Sequence, residues 1–178
     1  MTKEQAEDKE NSGVVYVEYK PTDTLVTVGA KKARLGIFSA AADVNDSQII
    51  YEITITQKGT ADDSEINNFS IVRAADGQVM APVTQMCMGV AKLSFSPPFT
   101  ILPGDKIHFC IIGDVFGGGG KNVELNVKLL AVAPTTGFGD QGKLVASMQK
   151  VTGTPTKVLI SPAKIDPRQW LNTINTHL

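Results

Sequence analysis

From Val14 to Ile160 apolar and polar residues alternate with a period of two. Clusters of Gly, Pro, Asn and Asp interrupt the pattern at intervals of about ten residues, the spacing of short strands joined by turns. Successive side chains of a strand point to opposite faces, so alternation marks a strand with one face on a core and one in water. About nine such strands in succession predict an all-β sandwich or barrel.

Val14 to Tyr19 is a first strand, ended by Pro21. Thr24 to Val28 is a second, turned by Gly29, and Ala33 to Ser39 is a third. Ile49 to Thr56 is the clearest: Ile49, Tyr51, Ile53 and Ile55 fall on one face, and Glu52, Thr54 and Thr56 on the other. After the loop from Gly59 to Ser64, Ile66 to Val72 closes at Asp76-Gly77, a strong hairpin dipeptide. Val90 to Phe95 is expected to stop at Pro97-Pro98, and Pro103-Gly104-Asp105 turns the chain into Lys106 to Ile112. Beyond a glycine-rich loop, Gly113 to Gly120, the residues Val123, Leu125, Val127 and Leu129 mark another strand. Leu144, Ala146 and Met148 mark one more, and Thr156 to Ile160 the last. The expected fold is an antiparallel β-sandwich of immunoglobulin-like or jelly-roll type over residues 14–162.

Two ends flank this body. Residues 1–13 carry Glu4, Glu7, Asp8 and Glu10 against Lys3 and Lys9 and read as a flexible acidic arm. Residues 163–178 read as a tail with a short helix, Asp166 as its cap and Pro167 at its first position. Trp170, Leu171 and Ile174 then share one helical face, and they are the expected interface residues.

Composition narrows the function classes. A chain of 178 residues can bury an ordinary core without staples. Seventeen Lys and Arg against eighteen Asp and Glu give a net charge of -1, so the basic surplus of nucleic-acid binders is missing and direct nucleic-acid binding is not expected. The densest basic cluster, Lys31-Lys32-Ala33-Arg34, reads as a solvated face. No apolar run approaches a membrane-spanning length, so membrane insertion is not expected. The acidic start lacks the apolar core of a signal peptide, and with Met1 as the native start the chain is expected to be made in the cytosol without export. Cys87 and Cys110 form no Cys-x-x-Cys pair, which argues against zinc. Their apolar surroundings read as buried free thiols, with a cross-strand disulfide as the alternative.

Motifs for catalysis are weak, and no catalytic residue is assigned. Gly117 to Gly120 before Lys121 resembles a phosphate loop, yet Val115 and Asn122 stand where that motif needs Gly and Ser or Thr. The segment also leads into a strand, so a hairpin loop is the better reading. Gly137-Phe138-Gly139-Asp140-Gln141-Gly142 spells the dinucleotide pattern, but Lys143 to Lys150 is too short for the helix that must receive a pyrophosphate. His108 lies in a strand and His177 near the end of the chain, a poor basis for a triad or ligand set. Asp62, Asp63 and Glu65, with Ser64, Asn67 and Asn68 nearby, form the candidate calcium loop, since calcium takes six to eight oxygen ligands. The plainer reading there is solvated loop charge, and no other cofactor is expected. Phe38, Phe69, Phe95 and Phe109 fall in strand patterns and are expected in the core.

The segment Leu35-Gly36-Ile37-Phe38-Ser39-Ala40-Ala41-Ala42-Asp43 is followed by Gly59-Thr60-Ala61-Asp62-Asp63-Ser64-Glu65-Ile66-Asn67-Asn68. Then come Gly89-Val90-Ala91-Lys92-Leu93-Ser94-Phe95, Ile101-Leu102-Pro103-Gly104-Asp105-Lys106 and Gly113-Asp114-Val115. Together these resemble the immunoglobulin-like β-sandwich repeats of large bacterial and archaeal surface proteins, over about residues 24–160. The resemblance implies spacer, layer or adhesive roles and no catalytic residues. A single copy with arm and tail also looks like a virion structural subunit, a capsid or decoration protein. The first expectation is therefore a non-enzymatic subunit of a self-assembling particle, located in the virion, with copies of itself or other structural proteins as partners. The alternative is a cell-surface or adhesive module, calcium-stabilised through the 62–65 loop. A carbohydrate-binding domain is a third reading, against which the scarcity of aromatic residues counts.

Overall fold

Alternation along the chain becomes strands wherever one face can be buried. The computed structural model describes residues 13–20, 23–134 and 144–163. Within them lie β1 (Val14–Tyr19), β2 (Thr24–Thr27), β3 (Ala33–Ala42), β4 (Gln48–Gly59), β5 (Ile66–Arg73), β6 (Val90–Ile101), β7 (Lys106–Val115), β8 (Asn122–Pro134), β9 (Leu144–Ala146), β10 (Met148–Thr152) and β11 (Lys157–Ser161). No helix occurs among the described residues. All of the expected arm at 1–13 but Gly13, and the tail helix with Trp170, Leu171 and Ile174, lie outside the described residues, as does the glycine motif at 137–142.

The strands form two sheets, one in the order β10-β1-β3-β7-β5 and the other β2-β11-β8-β4-β6, with β9 beside β8. The chain is an all-β sandwich with its core between them. In β8 the residues Val123, Leu125, Val127, Leu129, Ala131 and Ala133 are buried while Lys128 and Leu130 are exposed. In β7, Phe109, Ile111 and Val115 point inward, whereas Lys106 and His108 are exposed and Cys110 is half-buried. Phe109 ties the sheets together: its ring stacks on Phe38 at 5.2 Å and meets Phe99 of β6 at 5.7 Å. Each fully buried side chain of this size stabilises the fold by about 1.5–3 kcal/mol.

Four expectations are corrected by tertiary context. First, the sheets are mixed and not purely antiparallel, because β1 pairs with β10 and β2 with β11 in parallel. A parallel pair needs a crossover, which the whole body between β2 and β10 supplies. Second, the face proposed for Ile49, Tyr51, Ile53 and Ile55 is broken. A β-bulge between Ile50 and Glu52 shifts the register, so that Ile50, Ile53 and Ile55 are buried while Ile49 and Tyr51 are only half-buried. Third, β6 runs through Pro97-Pro98 to Ile101. It pairs only with β4, and an edge strand tolerates the missing donor of proline. Fourth, the strand expected through Leu144, Ala146 and Met148 changes sheets at Ser147: β9 belongs with β8 and β10 with β1.

That change of sheet leaves a gap beside β8, between its pairing with β11 and its pairing with β9. Side chains of the opposite sheet close it. The Leu129 amide donates to Gln149 Oε1 at 2.7 Å, and Gln149 Nε2 donates to the Val127 carbonyl at 3.0 Å. The Val127 amide donates to the Tyr19 hydroxyl at 2.6 Å. Buried main-chain polar groups are costly when unpaired, and two side chains here take the place of a neighbouring strand. Nearer β9, Gly13 stands close to β8: a Cβ there would lie 2.3 Å from that of Ala133 and 2.6 Å from Gln48 Nε2.

Candidate functional site

The outer face of the β1-β3-β7-β5 sheet holds a groove of about 600 Å³. Alternation puts its floor together. Ile37 of β3 stands opposite Cys110 of β7, and both point away from the core. His108 lies two residues along β7, and Ala74 follows it closely because the Ala74 amide donates to the His108 carbonyl at 2.8 Å. Four cations stand around this floor. Lys20 follows the end of β1, where its amide donates to the Ile37 carbonyl. Arg34 lies on β3 opposite Ile112, Arg73 on β5 opposite Phe109, and Lys106 on β7 opposite Ala41.

Two of the four are held by acids. Arg73 bonds Asp76 through both guanidinium branches, with Nε to Oδ1 at 3.0 Å. That pair, with the Gln78 amide donating to the same carboxylate, lowers the Asp76 pKa to about 2 and raises that of Arg73. Lys106 donates to Glu18 Oε2 at 2.5 Å, which holds the Glu18 carboxyl below its ordinary range. Lys20 and Arg34 are exposed and make no salt bridge among the described residues. These four cations against Asp76 and Glu18 leave the groove a formal surplus of positive charge although the chain as a whole is nearly neutral.

The acidic loop at 62–65 contrasts with it. Lys121 Nζ lies 3.1 Å from Asp62 Oδ2 and 2.9 Å from both Glu65 oxygens. Glu65 Oε2 also accepts from the Asp62 amide at 2.8 Å, and this bond, then Lys121, lowers the Glu65 pKa. Lys121 in turn is raised, by Glu65 first and Asp62 second. Asp63 accepts from the Gly89 amide with both oxygens. Asn67 Oδ1 accepts from the Asn68 and Met86 amides, and Asn68 donates to Asp114. The carboxylates considered for calcium thus have an ammonium ion and backbone amides as partners. No cluster of three or more metal-ligating groups occurs among the described residues.

Other sequence candidates find structural places. Lys31 and Lys32 both reach Asp114, through Nζ at 3.5 Å and the main-chain amide at 2.9 Å. Lys121 follows its glycine-rich loop into β8, not into a helix. Phe38, Phe69, Phe95 and Phe109 are buried. The thiols are free; Cys87 is exposed, against the buried position expected for it, because it sits in the short loop that bridges back to Val90. Cys110 is half-buried in the groove. The groove is not legible in the periodicity, since its cations lie on or just after four strands whose spatial order the alternation does not contain.

No family model matches the chain, and no curated protein matches it. Solved structures do show likeness. A cohesin module from a Clostridium perfringens family 33 glycoside hydrolase has a TM-score of 0.40 at 13% identity, covering 84% of this chain and 98% of that one. The seventh ScaB type I cohesin of Pseudobacteroides cellulosolvens gives 0.37 at 8% identity, with 86% and 95% covered. The periplasmic chaperone SfaE gives 0.35 at 16%, with 86% and 62% covered. Each is a weak likeness in the course of a β-sandwich and carries no argument about function.

Proposed function

We propose that this chain is a non-catalytic protein-interaction module, a β-sandwich of cell-surface or scaffold type that receives a partner on the outer face of its β1-β3-β7-β5 sheet. The observation that carries the reading is the groove on that face, cationic at its rim and partly apolar at its floor, with Lys20 and Arg34 unclaimed by salt bridges among the described residues. Concave sites with a few convergent polar groups are the usual places for recognition. The cell-surface setting rests on the sequence resemblance to surface-protein repeats. A particle subunit acting through its ends depends on residues 1–12 and 164–178, outside the described structure, and a sugar platform is disfavoured by a groove lining without Phe, Tyr or Trp.

Light scattering coupled to size exclusion tests the reading. An interaction module is expected to elute as a 19.0 kDa monomer at high concentration. Large uniform particles, visible in negative stain of the same fractions, overturn it in favour of a shell subunit.

A further inference from the structure

We infer that the groove takes an extended acidic peptide segment of a partner protein, its carboxylates reaching the cationic rim and one apolar side chain resting on the floor. The inference rests on the interaction-module reading and specifies its ligand.

The placement of charge argues for this ligand. Arg34 and Lys106 mark the two ends of the groove along the strands. Arg34 pairs with Ile112, six residues from Lys106 on β7, so the ends lie about 20 Å apart at the rise of a strand. Lys20 and Arg73 mark the flanks at its middle, near the level of the Ile37–Cys110 pair. Between them the floor offers Ile37, Ala74, Ala75 and Cys110, with Ile107 at its edge packed against the core. In an extended peptide, side chains on one face recur about every 7 Å, so three or four such positions span the groove. An acid–apolar–acid face then meets cation, floor and cation in turn.

The rim is also poised to change partners. Arg73 and Lys106 already hold carboxylates, those of Asp76 and Glu18, which shows that carboxylate geometry fits these positions. Lys20 and Arg34 offer the same chemistry outside any salt bridge among the described residues, Lys20 acting on the Glu18 carboxyl only through its field, and guanidinium groups favour planar, two-pronged carboxylate recognition. A sulfated glycan or a nucleic-acid strand would share the attraction to positive charge. Neither has an apolar side chain for the floor, and the lining gives a nucleobase no Phe, Tyr or Trp to stack on.

Cys110 supplies the readout, since it lies half-buried in the groove itself. With Cys87→Ser removing the exposed thiol, alkylation of Cys110 by iodoacetamide reports occupancy. The probe is the capped peptide Glu-Asp-Val-Asp-Glu, set against its neutral counterpart Gln-Asn-Val-Asn-Gln, a heparin-derived octasaccharide and an oligodeoxythymidine. The acidic peptide is expected to slow alkylation saturably and to lose its effect with rising salt. Lys20→Glu with Arg34→Glu should weaken it by about tenfold or more, since reversing rim charges acts on encounter and specificity. Both residues are exposed, and an unchanged melting temperature shows that the variant folds.

Equal protection by the neutral peptide overturns the acidic ligand while leaving the groove as a partner site. Tighter binding of the oligosaccharide or the oligonucleotide than of the acidic peptide overturns it in favour of that class. No protection by any probe up to about 1 mM overturns the inference. The interaction-module reading itself then stands or falls on the light-scattering result, which is independent of Cys110.

Discussion

The acidic loop around Asp62 and the cationic groove around Ile37 look alike as charge clusters, yet they differ in what closes them. In the loop, Asp62 and Glu65 are met by Lys121, and Asp63 by the Gly89 amide. In the groove, Arg73 and Lys106 have acids, while Lys20 and Arg34 have no salt bridge among the described residues. A closed cluster uses its charge to hold loops together; an open one keeps a field for something else. Charge density alone therefore does not identify a binding site. The partners already in place do.

The largest effect is expected from the core residue under the groove. Phe109 is fully buried between His108 and Cys110, and its ring joins both sheets. Phe109→Ala should cost about 3–5 kcal/mol, from lost burial and the cavity left behind. Urea unfolding would measure it. A loss below about 1 kcal/mol would mean that the β7 face is not fixed by the core as described, and the groove geometry with it.

An intermediate effect is expected from Lys121→Met, which opens the closed cluster. It removes the shared cation of Asp62 and Glu65, and the melting temperature should fall by several degrees at neutral pH. Calcium should leave the wild-type melting temperature unchanged, because the oxygens are already engaged. The pH dependence comes from the lowered carboxyls. Glu65 sits below its ordinary 4.5 and Asp76 falls from 3.8 to about 2, so their stabilisation is complete above those ordinary values and is lost as pH falls through the lowered ones. Lys121, raised above 10.5, contributes below that value and loses its contribution only as pH climbs through the raised one. The wild type should therefore lose stability from about pH 4.5 down to 2, and Lys121→Met should show a weaker dependence at the upper end of that range. An acid profile unchanged by the substitution would detach Lys121 from Glu65.

How much of this was legible in the sequence depends on the range of the interaction. Strand existence was local and readable: β1, β5 and β7 lie where alternation placed them, and Asp76-Gly77 turns between β5 and Val79. The bulge at Tyr51 was not readable, because an extra residue in one strand is revealed only by its neighbours β6 and β8. The passage of β6 through two prolines depended on its being an edge, a fact of sheet order. Sheet order also hid the groove. Lys20, Arg34, Arg73 and Lys106 are scattered in the chain and meet because β1, β3, β7 and β5 lie side by side. In sequence Lys121 belongs with the glycines before it, whereas its partners in space are the acids of the 62–65 loop.

The smallest effect is the one that separates the two regions most sharply. Lys20→Ala with Arg34→Ala removes two of the four positive charges of the groove, at exposed positions outside any salt bridge among the described residues. Surface substitutions away from specific contacts usually stay within about 0.5 kcal/mol. Here little change is expected, because Arg73 and Lys106 lose like-charged neighbours while Glu18 loses the favourable field of Lys20. A melting temperature equal to or just above the wild type would show that these two cations do not serve the fold. A clear drop, comparable to that of Lys121→Met, would give them a part in holding the sandwich together and make the groove a second closed cluster, leaving no open charge for a partner.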